Sequence, residues 1–278
     1  MSIIGVWGED KSCKTTFALT FPKPLVFMEF DIGGFDRAIY RFEKDNIIVR
    51  EDDEWRLQTT SNVIKYEAYP LPMTFGKFNP AKLEVRPSKV VVGMKELFYG
   101  WASKYITYLQ DNKVATIVID TATLMKQVCD DCYLQEMQEK QLETMDPTTH
   151  LDKDKKPLRT QLQQIEYKEP NTRMRGILYQ AKSHNKNLVL VHHARDEYKP
   201  MPQRDGTIAT SATGRRERAG FATLGDSADV ILYAYWDSNK AKPFCKVELA
   251  EVKQLEGIVF EEPTYEKIDR AIKMIKGI

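Results

Sequence analysis

Eight residues near the start of the chain, Gly8-Glu9-Asp10-Lys11-Ser12-Cys13-Lys14-Thr15, restrict its folding more than any other stretch. A short apolar run, Ser2 to Trp7, precedes them, and a helix-compatible segment, Lys14 to Phe21, follows. A strand, a loop opened by glycine and a helix beginning with Lys-Thr make the setting in which backbone N–H groups curl around phosphate oxygens. The helix N-terminus adds its partial positive charge. On this reading Gly8 to Thr16 cradle a nucleotide, Lys14 reaches its β- and γ-phosphates, and the Thr15 hydroxyl meets Mg²⁺. One position breaks the pattern. Cys13 stands where a second glycine is expected, and a Cβ there crowds the phosphate path and penalises a positive φ.

The rest of the chain continues the alternation of strand and helix. Pro24 to Phe30 reads as a second buried strand, Lys95 to Gln110 as a helix with Leu97, Trp101, Tyr105 and Tyr108 on one face, and Val114 to Ile119 as a strand ending at Asp120. A long helix is predicted from Thr123 to about Met145, then a polar basic stretch, Thr148 to Arg159, then helix again from Gln161 to Ser183 with a pause at Pro170. Asn187 to Val191 reads as a strand ending at His192-His193. Two more strands, Ala228 to Trp236 and Pro243 to Val252, precede a last helix, Tyr265 to Ile275. Near-continuous apolar strands separated by helices imply a mostly parallel sheet covered on both faces.

Two segments depart from that rhythm. Residues 46–89 carry short β-favouring pieces, many aromatics and Pro70, Pro72, Gly76 and Pro80, and read as a β-rich insertion. Residues 194–218 show no periodicity and contain Pro200, Pro202, Gly206 and Gly214, so a long mobile loop is expected. With no repeat and no evident linker, residues 1–278 read as a single domain.

Composition narrows the function classes. With 42% hydrophobic and 29% charged residues the chain is ordinary for a globular protein, which argues against disorder. Its net charge of +1 provides no global attraction to nucleic acid, so any such contact must be local. No apolar run approaches the roughly 18 residues of a membrane span. The first residues show neither a basic region nor a small-residue cleavage site, so no secretory signal is expected. Cys13, Cys129, Cys132 and Cys245 are too few for a disulfide framework, and the Cys129/Cys132 pair falls inside a helical pattern without a second pair to complete a metal site. A reducing, cytoplasmic location fits.

Two further elements carry chemistry. Thr116-Ile117-Val118-Ile119-Asp120 is an apolar strand ending in a carboxylate, the placement that holds Mg²⁺ beside a phosphate loop. After the second strand, Met28-Glu29-Phe30-Asp31-Ile32-Gly33-Gly34 offers two carboxylates that strand alternation puts on one side. Asp31 lies where the strand runs out at the phosphate edge, and suits a base that polarises the attacking water.

In the order and spacing of these segments the chain resembles the RecA-like ATPases, and among them the compact bacteriophage members linked to single-strand annealing and recombination. The resemblance rests on Gly8 to Thr16, Glu29 to Gly34, the strand to Asp120-Thr121, Leu188 to His193, and Gly225-Asp226-Ser227-Ala228-Asp229-Val230-Ile231-Leu232. It implies an α/β RecA-like P-loop NTPase core, a mostly parallel central sheet flanked by helices with a β-rich insertion, using ATP and Mg²⁺. By the same resemblance Asp31 activates water and His193 occupies a polar position that reads the γ-phosphate, where a Gln is usual. Residues 194–218 match a DNA-binding loop, with Arg195, Lys199, Arg204, Arg215, Arg216 and Arg218 as phosphate contacts and Tyr198 and Phe221 as stacking platforms for single-stranded DNA. Lys253, or else Arg215 or Arg216, matches a basic finger offered to a neighbouring subunit's nucleotide, which implies self-association into a ring or filament. A phage-infected bacterial host is the implied setting. The alternative is an assembly or switch ATPase that docks a protein partner through the aromatics of the insertion, Trp55, Tyr66, Tyr69, Phe75 and Phe78.

Overall fold

The computed structural model describes residues 2–50, 62–72, 75–79, 84–87, 89–202 and 208–277, with 75–79 and 84–87 described as backbone. Twelve strands and six α-helices alternate in the order β1 (Ile3–Gly8), α1 (Lys14–Ala18), β2 (Leu25–Glu29), α2 (Gly34–Ile39), β3 (Ile47–Val49), β4 (Val63–Ala68), β5 (Phe75–Asn79), β6 (Glu84–Pro87), α3 (Met94–Gln110), β7 (Thr116–Asp120), α4 (Ala122–Leu142), α5 (Lys168–Ser183), β8 (Asn187–Pro202), β9 (Ile208–Arg218), β10 (Val230–Asp237), β11 (Lys242–Ala250), β12 (Val259–Glu261) and α6 (Tyr265–Lys276), counted among the described residues. The central sheet runs β12-β11-β10-β1-β8-β7-β2-β4-β3. From β10 to β3 every neighbour is parallel, and β11 and β12 extend that edge antiparallel. This is the mostly parallel, helix-flanked sheet that the sequence implies. One strand, β8, separates the strand that leads into Gly8 from the strand ending at Asp120.

Strands β1, β2 and β7 are buried along their whole length, as strands covered on both faces must be. On one face α3, α4 and α5 bring Trp101, Tyr105, Met125, Val128 and Leu178 onto Ile3, Met28 and Ile119. On the other, α1, α2 and α6 bring Phe17, Phe35 and Ile268 onto Val6, Phe27 and Val118. Each such side chain taken fully from water stabilises the fold by about 1.5–3 kcal/mol. Among the described residues no helix is long and apolar enough to cross a membrane.

Three regions differ from the sequence expectation. Residues 194–202 and 208–218 are not an irregular loop: β8 continues past His193 to Pro202 and β9 pairs with it antiparallel from Ala194↔Arg218 to Pro202↔Ile208. Small residues hid this hairpin. Ile208 to Thr213 alternate between exposed and half-buried, but Ala, Ser and Thr give little apolar contrast. The breakers Pro200 and Pro202 are tolerated because this arm has free outer edges among the described residues. Residues 46–89 are not wholly an insertion, since β3 and β4 extend the parallel sheet beyond β2, and among the described residues β5 and β6 form a separate two-stranded unit. Pro170 does not interrupt a helix either; it sits in the first turn of α5, where its missing N–H costs nothing.

Candidate nucleotide site

The loop after β1 is held open by unusual backbone. Gly8 has φ +149°, and a Cβ built on it would lie 1.9 Å from the Ala234 carbonyl oxygen. Cys13, the residue in place of glycine, nonetheless takes the left-handed conformation a glycine would, with φ 64° and ψ 24°. A side chain there costs about 1–2 kcal/mol. Cys13→Gly should therefore stabilise the protein, by about 0.5–1 kcal/mol once glycine's greater freedom in the unfolded chain is set against the relief. Urea denaturation checks this, and a midpoint below wild type would refute it.

Lys14 is buried within the loop it belongs to. Its Nζ donates to the carbonyl oxygens of Gly8 at 3.0 Å and Glu9 at 2.5 Å and to Ser12 Oγ at 3.4 Å. Burial pulls its pKa below the usual lysine value, opposed by Asp10 and Asp120. Ser12 Oγ in turn donates to the Glu9 carbonyl at 2.7 Å, so the loop wraps around the ammonium.

Strand pairing brings Asp120 to the same edge. β7 lies next to β8, two strands from β1, and Thr15 Oγ1 donates to Asp120 Oδ2 at 2.7 Å. A hydroxyl and a carboxylate side by side suit a hard cation that prefers oxygen ligands. The space over them is kept by Gly34, whose Cβ would come within 3.5 Å of Thr15 Oγ1 and 3.7 Å of Asp120 Oδ2. Thr15 and Asp120 are thus fitted to hold Mg²⁺.

Burial pushes the Asp120 carboxyl up to about 7, with the Thr15 hydrogen bond opposing and Glu29 and Asp31 adding to it. Because the folded state holds this proton more tightly than the unfolded chain, stability falls as pH rises from about 4 to about 7. In chelator, urea midpoints should decline across that window, and Asp120→Asn should flatten the decline. An unchanged slope in the variant would contradict it.

Asp31 and His193 complete the cleft. His193 is in register with Gly8 and its Nε2 lies 3.2 Å from Asp31 Oδ2. Both line one cavity of about 810 Å³ with Lys14, Thr15, Asp120 and Arg37. Glu29, the other carboxylate of that segment, is fully buried. Its oxygens accept from the Phe35 N–H at 2.7 Å and the Tyr66 hydroxyl at 2.8 Å. Of the two carboxylates in that segment, Asp31 is the one that lines the cleft.

Sequence reasoning missed Arg37 and Arg41. With Lys11 and Lys14 they line a smaller, adjoining cavity of about 240 Å³, where no carboxylate appears among the lining residues. The signal was two arginines four residues apart, with α2 beginning directly after the acidic strand end.

The remaining sites are scattered. Arg195 pairs with Glu217, Lys199 with Glu197, and Arg216 with Asp196, each within 2.8 Å, so three of the five basic side chains among the hairpin's described residues are matched internally. Arg215 and Tyr198 are exposed. Arg218 is half-buried at the hairpin root, and Phe221 is a core residue unable to stack a base. Arg204 and Trp55 lie outside the described residues, as do the side chains of Phe75 and Phe78. Tyr66 stacks on Phe35 and Tyr69 on Phe30, which removes both from a docking surface. Lys253 is exposed, paired with Glu256, and stands at the sheet edge opposite the phosphate loop, because β11 ends beside the start of β10. It cannot reach this chain's own site.

A family model described as an AAA domain matches residues 2–254. No curated protein matches the chain. Among solved structures, the crystal structure of the RadB recombinase is similar over 94% of this chain and 86% of that one, with a TM-score of 0.46 and 15% identity.

Proposed function

The chain belongs to the AAA domain family, and on that premise we propose that it binds and hydrolyses ATP with Mg²⁺ and acts on single-stranded DNA through the β8–β9 hairpin. One observation carries the reading. β8 passes unbroken from His193, inside the cleft, into an exposed two-stranded arm. In this reading residues 8–16 hold the phosphates with Lys14 as their buried cation, and Thr15 and Asp120 hold the metal, which neutralises phosphate charge. Asp31 accepts the proton of the attacking water, and His193 links that carboxylate to the hairpin. Arg215 and Tyr198 supply the exposed cation and ring for a strand backbone and base. The ion-paired arginines join only by exchanging partners. Self-association into a ring or filament places Lys253 of one copy at the nucleotide of another. The setting is phage recombination or replication in the cytoplasm of an infected host.

The test is the rate of phosphate release with and without single-stranded DNA. A several-fold stimulation that fades with added salt is expected. Equal rates, together with no salt-sensitive DNA binding, would rule out the DNA half of the proposal and leave the ATPase half standing.

A further inference from the structure

The hairpin leaves the sheet at His193 and returns at Ala219-Gly220, and one side chain touches both roots. Thr123 lies in the first turn of α4, three residues beyond Asp120. Its Oγ1 accepts the His193 N–H at 3.0 Å and donates to the Ala219 carbonyl at 3.3 Å. A hydroxyl has one proton to give and lone pairs to receive, so both bonds form at once. The Ala219 N–H closes the last rung by donating to the His193 carbonyl at 2.9 Å.

Two further contacts fix the same point. His192 Nδ1 lies 3.1 Å from the Ala219 carbonyl. A carbonyl only accepts, so Nδ1 carries the imidazole proton, and Nε2 is left buried without a partner among the described residues. Gly220 has φ +92°, and a Cβ on it would sit 3.1 Å from Thr123 Cα, so the return strand comes onto α4 at a distance that glycine permits. Both roots of the arm are therefore fastened to the turn that follows Asp120.

The other end of this connection is the metal pair. The Thr15 hydroxyl now donates to Asp120, and that bond must give way when a cation takes both oxygens. We propose that Thr123 is a positioning residue that sets His193 opposite Asp31 and makes the hairpin follow the Asp120 segment when nucleotide and metal enter. The proposal rests on the nucleotide reading given above but not on DNA being the ligand of the arm.

Thr123→Val keeps the shape and removes both hydrogen bonds, and Thr123→Ser restores the hydroxyl. Amide hydrogen exchange over residues 194–202 and 208–218 is measured with and without Mg²⁺ and a nonhydrolysable ATP analogue, beside the analogue's affinity and the steady-state kcat and KM. In wild type the analogue changes exchange in the arm. In Thr123→Val the analogue binds within about twofold of wild type, the response of the arm is lost, and kcat falls about tenfold with KM little changed. Thr123→Ser recovers both. Thr123→Ala serves the same purpose if the valine variant does not fold.

An arm that ignores nucleotide in wild type overturns the proposal, as does a Val variant with normal response and kcat, or a Ser variant that behaves like Val. Wild type that fails to bind the analogue at all would instead remove the nucleotide reading beneath it. An arm that responds to nucleotide while DNA changes nothing would leave the role of Thr123 intact and remove only the DNA.

Discussion

Lys14→Ala is expected to abolish ATP turnover, lowering kcat/KM by at least about 10²–10³. Lys14 is 8% exposed, and its ammonium already sits among three oxygens of its own loop. When phosphate oxygens replace those carbonyls, the bonds become charge-assisted at both ends, each contributing about 1.5–3 kcal/mol. Lys11 and Arg37 also line the cleft, but both are exposed, as is Arg41, and none is enclosed by the loop as Lys14 is. Calorimetric titration with ATP and a phosphate-release assay check this together. Turnover near the wild-type rate would show that the nucleotide binds elsewhere.

Gly8→Ala should act on the fold itself, destabilising it by more than about 3 kcal/mol. Gly8 pairs with Ala234 across β1 and β10, and the added carbon would lie 1.9 Å from that residue's carbonyl oxygen. The obstacle is backbone on a buried strand, so neither side can yield without parting the two strands. Its φ of +149° is strained for alanine as well. Gly100→Ala provides the comparison: nothing lies within 4 Å of its Cβ position, inside α3, and the change should stabilise by up to about 1 kcal/mol. Urea midpoints of the two variants should move in opposite directions. A Gly8→Ala protein as stable as wild type would mean that the loop does not leave β1 in this way.

Much of the cleft was legible because its chemistry is local. A glycine that must take a positive φ, a Lys-Thr pair opening a helix, and an apolar strand ending in Asp120 each show in a few consecutive residues. The choice between Glu29 and Asp31 was half legible. Alternation put both on one side, but the Glu29 oxygens are occupied by Tyr66, 37 residues away, as well as by the nearby Phe35 amide. The Thr123 bridge was out of reach for the same reason, since its two partners lie 70 and 96 residues further along. Arg37 and Arg41 became meaningful only once α2 was packed beside α1. The hairpin escaped notice because Ala, Ser and Thr alternate without apolar contrast, and because prolines were read as breakers where the arm has free edges to accept them.

These differences point one way. The residues that form the cleft are written in short segments, and how the cleft connects to the rest of the molecule is written in contacts between distant ones. The irregular Cys13 belongs to the first group. The chain keeps the glycine conformation at that position without the glycine.

The most direct measurement is a crystal structure of the protein with Mg²⁺ and a nonhydrolysable ATP analogue. The metal is expected against Thr15 Oγ1 and Asp120, with Lys14 Nζ turned from the Gly8 and Glu9 carbonyls onto phosphate oxygens and Asp31 facing the terminal phosphate across a water. Phosphates bound away from residues 8–16, or Lys14 still held by its own loop with nucleotide present, would contradict the site.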